Sequence, residues 1–89
     1  MENEAIFKKL ALIIKRQLKA GGRDVNKKVV VPEAKFIEDL GADSLNFIEI
    51  VVAAEEGFRV VISDEVMEKI KSVGDLVEVI SSLKGNQPA

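Results

Sequence analysis

Cysteine and histidine are both absent from this chain of 89 residues. Their absence excludes a disulfide framework and a thiol nucleophile, and it argues against zinc or haem ligation, so we expect no metal site. Aromatic residues are scarce, with four Phe and neither Tyr nor Trp, so a core must use aliphatic side chains, which the apolar content of 47% provides. Because no convergent set of catalytic groups is evident, an enzyme is the least favoured class.

A long hydrophobic run is also missing. The N-terminus lacks the basic start and the uninterrupted apolar stretch of a secretory signal. The apolar run at residues 50–54 is far too short to cross a bilayer. We therefore expect a cytoplasmic protein without a membrane span.

Charge is distributed unevenly along the chain. Residues 1–35 contain nine basic and four acidic residues, a net charge of +5, whereas residues 36–89 have a net charge of −7. Between residues 36 and 68 there are nine acidic residues, and Arg59 is the only basic one. Such a segment repels nucleic acid and attracts basic protein surfaces, so we expect protein partners and no nucleic acid.

The first helix and the segment after it differ in regularity. Apolar residues recur at helical spacing over residues 5–19, and Gly21-Gly22 is a typical helix end. Residues 23–35 are predicted to form a long loop whose valines pack onto the core. A short strand at residues 29–31 is the alternative, but Pro32 follows it directly.

A turn and three further helices are predicted in the second half. Phe36, Ile37 and Leu40 form one helical turn that plugs the core and ends at Gly41. Residues 44–57 form a helix with two apolar stripes, which predicts burial on most sides and a central position.

A short helix and a final helix complete the predicted fold. The short one begins at Ser63 or Asp64 and continues to about residue 70. The last begins at Ser72, whose spacing to Asp75 is that of a capping box, and ends at Gly85. The predicted fold class is all-α, a small four-helix bundle with three longer helices, one short helix and a long loop between helices one and two. It is one domain over residues 1–85, with a flexible tail at residues 86–89.

Ser44 is the most informative polar residue. It lies in the first turn of the second predicted helix, directly after Asp43, a favourable N-cap residue. The first amides of a helix lack intrahelical partners and the macrodipole is positive there, so a phosphate esterified to Ser44 would be stabilised. Ordinary helix capping explains the same pair of residues, and the physical argument alone leaves both interpretations open.

Residues 36–45, Phe-Ile-Glu-Asp-Leu-Gly-Ala-Asp-Ser-Leu, resemble the phosphopantetheine attachment motif of acyl carrier proteins. The resemblance continues in phase through residues 46–51, 55–58, 62–65, 68–70 and 73–76. It covers about residues 36–80, and the first helix has the place and length of the family's first helix. The chain is thereby identified as similar to a phosphopantetheine-binding carrier.

The resemblance implies a cofactor and partners. A phosphopantetheinyl transferase moves the phosphopantetheine of coenzyme A onto the Ser44 hydroxyl, and the thiol of this 4'-phosphopantetheine arm carries acyl groups as thioesters. Asp43 matches the acidic residue that helps the transferase and its metal ion engage, and Leu45 matches a contact residue for partner enzymes. The implied partners are this transferase and acyl-processing enzymes with basic docking patches, and the carrier is expected to be a monomer.

Two larger sets of residues follow from the same resemblance. The acidic residues that match the family's partner-recognition surface are Glu49, Glu55, Glu56, Asp64, Glu65 and Glu68. Solvated surface carboxylates are the alternative interpretation for each of them. The residues that match the cleft sheltering an acyl chain are Leu45, Ile48, Val52, Ile62, Met67 and Ile70, and plain core packing explains these equally well.

Some residues depart from the family pattern. The chain is near neutral overall, Asn46 stands where an acidic residue is frequent, and Gly57 and Arg59 interrupt a run that is usually acidic. These differences predict a specialised carrier for a lipid, polyketide or similar pathway. An aminoacyl or peptidyl carrier with the same arm, and a helical interaction module without it, are the competing functions.

Overall fold

The computed structural model describes residues 2–22 and 30–85 and confirms the all-α class within them. Four helices follow one another: α1 (Glu2–Ala20), α2 (Ser44–Phe58), α3 (Asp64–Met67) and α4 (Val73–Gly85). In these ranges the only β-type pairing is an isolated bridge between Lys35 and Ser72. The predicted tail at residues 86–89 and the first part of the predicted loop lie outside the described residues. None of the described helices is long and apolar enough to cross a membrane.

The central helix is α1, not α2 as the apolar stripes predicted. Its side chains at helical spacing, Ile6, Leu10, Ile14 and Leu18, are all buried, and the helix packs against both α2 and α4. On α2 only one stripe is buried. The other is exposed, with accessible fractions of 67% for Leu45, 42% for Ile48 and 44% for Val52. Of this second stripe only Ile48 lines the cleft that residues 35–38 and the short α3 leave beside α2.

The turn before α2 fills the core with two of the three predicted side chains. Phe36 and Leu40 are buried, but Ile37 is 54% exposed, so its predicted core position is wrong. The amide of Leu40 donates to the carbonyl of Lys35, and this single turn ends at Gly41, whose φ of 73° favours glycine. One turn cannot direct three neighbouring side chains inward, so Ile37 faces the solvent.

A short run of backbone hydrogen bonds joins the segment before α2 to the start of α4. Phe36 N–H donates to Lys71 O at 3.1 Å, Val73 N–H to Ala34 O at 2.9 Å and Gly74 N–H to Pro32 O at 2.8 Å. Within the predicted loop, Val30 is partly buried against the core whereas Val31 is exposed.

The helix starts agree with the capping residues, but α3 is shorter than predicted. Ser63 Oγ accepts from Val66 N–H at the start of α3, which ends at Met67. At α4 the amide of Asp75 donates to Ser72 Oγ at 3.2 Å, and Ser72 N–H donates back to Asp75 Oδ2 at 3.1 Å, which is the predicted capping box.

Candidate functional site

Ser44 is the first residue of α2, and it is exposed. The preceding Asp43 has the extended backbone of an N-cap, and its Oδ1 accepts from Asn46 N–H at 2.7 Å. The carboxylate therefore satisfies one amide of the first turn while the Ser44 hydroxyl remains accessible at the positive end of the helix dipole. This is a favourable place for a phosphate ester.

Asn46 fixes this end of α2 to the end of α1. Its side chain is 2% exposed, and its Nδ2 donates to Gln17 O, a carbonyl in the last turn of α1, at 3.1 Å. A Cβ atom on Gly21 would lie 3.0 Å from Nδ2, so a larger residue after the helix would push the Asn46 amide by a few tenths of an ångström. Asn46 Oδ1 is buried and has no hydrogen-bond partner among the residues that the structure describes. The sequence indicated Asn46 only as a departure from the family pattern. The hydrogen bond to Gln17 O joins residues 29 positions apart, and no sequence periodicity predicts such a contact.

The other end of α2 is also held by α1. Lys9 Nζ donates to Gly57 O at 2.7 Å and lies 5.0 Å from the centre of the Phe58 ring. A cation at this position complements the negative end of the helix dipole and interacts with the aromatic face. A Cβ atom on Gly57 would lie 2.9 Å from Cδ1 of Ile13, so the absence of a side chain here allows α1 and α2 to pack closely. The sequence indicated only the weak helix propensity of this glycine.

The predicted recognition residues do not share one environment. Exposed carboxylates are those of Glu49, Glu56, Asp64, Glu65 and Glu68. Glu55 differs, because it is half-buried and its Oε2 accepts from Ile62 N–H at 2.8 Å. Its carboxylate therefore holds the chain that follows α2.

An open cleft of about 720 Å³ begins beside Ser44. Residues 35–38 form one wall, and Ser44, Phe47 and Ile48 of α2 form another. Met67 and Ile70 contribute the apolar part of the third wall, so three members of the predicted acyl cleft meet here. The volume lies within the range of ordinary small-molecule pockets, about 300–1,000 Å³.

The other three predicted cleft residues lie elsewhere. Leu45 and Val52 are exposed on α2 and do not line this cleft, and Ile62 lines a second one of about 540 Å³ between the α3 region and α4. Phe36 and Phe47, which are not among the predicted cleft residues, do line the first cleft. Their ring centres are 5.2 Å apart at an interplanar angle of 55°. The sequence predicts a core position for Phe36, and nothing in the sequence pattern indicates that its ring meets Phe47 in the cleft.

Residues 8–80 match the family described as "Phosphopantetheine attachment site". The chain belongs to the acyl carrier protein family. It is 46% identical over 80 residues to the acyl carrier protein of Wolinella succinogenes, covering 90% of this chain and 99% of that one. It is 44% identical to the acyl carrier protein of Helicobacter pylori strain J99, covering 90% and 96%.

A solved structure of the acyl carrier protein from Enterococcus faecalis superimposes on this carrier with a TM-score of 0.68. The two chains are 34% identical, and the match covers 93% of this chain and 99% of the other. Members of this family are carrier proteins, and they interact with phosphopantetheinyl transferases and acyl-processing enzymes. The prosthetic group of the carrier is a covalent 4'-phosphopantetheine.

The residues at the start of α2 fit this group. An accessible hydroxyl, a helix N-terminus and a partly apolar cleft occur together at Ser44. The hydroxyl can form the phosphate ester, the first-turn amides favour its negative charge, and the cleft can shelter an apolar cargo. When bound, the group supplies a thiol that holds acyl groups as thioesters.

Proposed function

We propose that Ser44 carries the 4'-phosphopantetheine arm and that the carrier delivers thioester-bound acyl intermediates to enzymes of fatty-acid, lipid or polyketide-type biosynthesis. The observation that carries this proposal is the exposed Ser44 at the first position of a capped helix, beside an open cleft. The carrier has no catalytic residue of its own in this proposal, and it works as a monomer in the cytoplasm.

Ser44 acts as the acceptor in the attachment reaction. Its Oγ forms a bond to the phosphorus of the phosphopantetheine, the pyrophosphate bond of coenzyme A breaks, adenosine 3',5'-bisphosphate leaves, and the hydroxyl proton passes to a base. The chain contains no histidine to accept this proton, and the carboxylate of Asp43 is engaged with Asn46 N–H, so the transferase provides the base. Asp43 supports the reaction by keeping the first turn of α2 in place and by presenting negative charge to the transferase and its metal ion.

Leu45 and the exposed acidic residues form the docking surface in this proposal. Leu45 is 67% exposed beside the attachment residue, so an apolar contact with a partner would bury it. Glu49, Glu56, Asp64, Glu65 and Glu68 attract basic patches and accelerate encounter. Glu55 contributes charge, but its intramolecular hydrogen bond restrains it.

The cleft beside Ser44 is the proposed shelter for the acyl group. Ile48, Met67 and Ile70 supply its apolar walls, and Leu45 and Val52 extend an apolar stripe along α2 outside it. Ile62 belongs to the second cleft and reaches the cargo only if the two clefts join.

Attachment is tested by incubating the purified apo protein with coenzyme A and a phosphopantetheinyl transferase. Intact mass spectrometry should show a gain of one phosphopantetheine group, and Ser44→Ala should abolish it. Ser82→Ala, which removes an exposed serine on α4, is the matched control and should be modified like the wild type. No gain in the wild type, or a gain that survives Ser44→Ala, would contradict the proposal and favour an interaction module without the arm.

The cargo and the pathway need a second measurement. The mass of the thioester-bound species after isolation from cells should correspond to an acyl group, whereas an amino acid would indicate an aminoacyl carrier. The dedicated pathway predicted from the near-neutral charge is wrong if the protein serves general fatty-acid synthase enzymes as efficiently as a housekeeping carrier does.

A further inference from the structure

Two neighbouring aromatic rings line the cleft beside Ser44. Phe36 and Phe47 both line the cleft, and their ring centres are 5.2 Å apart. An alkyl chain that passes between two rings needs a carbon–carbon contact distance of about 3.5–4 Å to each of them. The ring centres would therefore have to be about 7–8 Å apart. A chain cannot pass between the rings as they stand.

The two rings are not equally free to move. Phe36 is 1% exposed, its N–H donates to Lys71 O at 3.1 Å, and its carbonyl accepts from Ala42 N–H at 3.0 Å. Its backbone is thus held from two directions. Phe47 is only partly buried and projects from α2 into the cleft. Of the pair, Phe47 is the one that can rotate without disturbing the backbone network around the turn.

Phe47 also has the right relation to the attachment residue. It follows Ser44 by three positions, which places both side chains on the same face of α2, one turn apart. Beyond it, Ile50 and Val51 are buried, at 0% and 1% exposure, so the helix presents a packed core deeper in the bundle. Met67 on the facing wall is unbranched and can adjust to a cargo in the outer part of the cleft.

We infer that Phe47 determines the length of acyl chain that this carrier shelters, and that it restricts the sheltered chain to a short acyl group in the outer cleft. This inference rests on the proposed attachment at Ser44. The ring acts as a stop: carbons beyond it remain in solvent unless Phe47 rotates away from Phe36. Removing the ring should free the volume that the ring itself fills, between the outer cleft and the packed core, and allow a longer chain to be buried.

The test compares thioesters of different length on the same carrier. Apo protein is loaded by a transferase from butanoyl-, octanoyl- and dodecanoyl-coenzyme A, and loading is verified by intact mass. Cleavage of each thioester by hydroxylamine is then timed, because a sheltered thioester reacts only when its chain leaves the cleft. The proteins are the wild type, Phe47→Ala, Phe47→Leu and Phe7→Ala. Phe7 is another partly buried Phe against the core, but it lies on α1 and does not line the cleft.

In the wild type and in Phe7→Ala, the octanoyl and dodecanoyl thioesters should be cleaved no more slowly than the butanoyl one. In Phe47→Ala the octanoyl thioester should be cleaved more slowly, by roughly fourfold for each methylene group newly buried. Phe47→Leu keeps an apolar side chain in the core and should show a smaller shift in the same direction, which covers the case that the alanine variant does not fold.

Three results would overturn the inference. Wild-type cleavage that slows steadily from butanoyl to dodecanoyl would show that Phe47 is no stop. An unchanged length dependence in both Phe47 variants, or an equal change in Phe7→Ala, would show that the ring is not the determinant. Failure to load any group onto Ser44 overturns the proposed function as well, whereas successful loading without a length effect of Phe47 overturns this inference alone.

Discussion

Replacing Gly21 by Ala should destabilise the carrier through one contact, that with Asn46. The added Cβ would lie 3.0–3.2 Å from three atoms of the Asn46 amide, which is buried and cannot move outward freely. We expect displacement of the amide to lengthen the 3.1 Å hydrogen bond to Gln17 O until it is lost, which leaves a buried donor without a partner. The backbone of Gly21 does not have a positive φ, so the backbone itself accepts alanine.

Two terms decide the magnitude of this change. The unsatisfied buried donor costs about 1–3 kcal/mol, whereas the loss of glycine's freedom in the unfolded chain stabilises the protein by about 0.4–1 kcal/mol. We therefore expect the free energy of unfolding to fall by about 1–2 kcal/mol in Gly21→Ala. Chemical denaturation with urea, followed by circular dichroism, measures this difference directly.

The same substitution in an Asn46→Ala background is the decisive control. Without the amide, the new Cβ has room, and Gln17 O still accepts from the amide of residue 21 at 3.0 Å. Gly21→Ala should then be neutral or stabilising by up to about 1 kcal/mol. If it destabilises both backgrounds equally, or stabilises the wild type, the contact between residues 21 and 46 does not hold the start of α2.

Two further predictions concern carboxylates with structural roles. Glu55→Ala should lower the free energy of unfolding by about 1 kcal/mol, because Ile62 N–H loses its acceptor, whereas Glu55→Gln should retain most of the stability. Glu56→Ala should leave the stability unchanged and only slow the association with a basic partner. Urea titrations measure the stability of each variant, and stopped-flow binding measures the association rate. The backbone amide of Lys71, and to a smaller extent that of Ser72, donates a hydrogen bond to the Asp75 carboxylate and holds its pKa below the ordinary value. The stabilisation from the ionised Asp75 is complete above the unfolded-state pKa of about 3.9 and is lost as the pH falls through the lower folded-state pKa. Asp75→Asn should therefore lower the free energy of unfolding by about 0.5–1 kcal/mol at neutral pH. An equal loss of stability at pH 7 and pH 2 would contradict this.

Local signals in the sequence were sufficient for the starts of the helices. The residues Asp43, Ser63 and Ser72 each satisfy amides within three positions, so their effect is visible in any short stretch. Helical periodicity likewise located α1, α2 and α4 to within a few residues. Helix caps and helical periodicity depend on residues that are close together in the sequence, so they can be predicted without knowledge of the tertiary structure.

The features that the sequence could not reveal are contacts between distant segments. The bond from Lys9 to Gly57 spans 48 positions, and the bond from Asn46 to Gln17 spans 29. Periodicity indicates that a face of α2 is apolar, but it does not say which neighbour covers it. Periodicity alone therefore predicts burial for the stripe of Leu45, Ile48 and Val52, which is exposed. Its exposure agrees with the proposed docking role of Leu45, which an entirely buried α2 would not allow.

The way α2 is held indicates which part of the bundle moves when the cleft opens. Contacts with α1 secure both ends of α2, through Asn46 at its start and Gly57 at its end. The opposite wall is weaker: α3 has four residues, and none of them is fully buried. Elements with few buried contacts open at the lowest free energy. A cargo that enlarges the cleft should therefore displace α3 and its flanking loops, while Ser44 keeps its position at the start of a fixed helix.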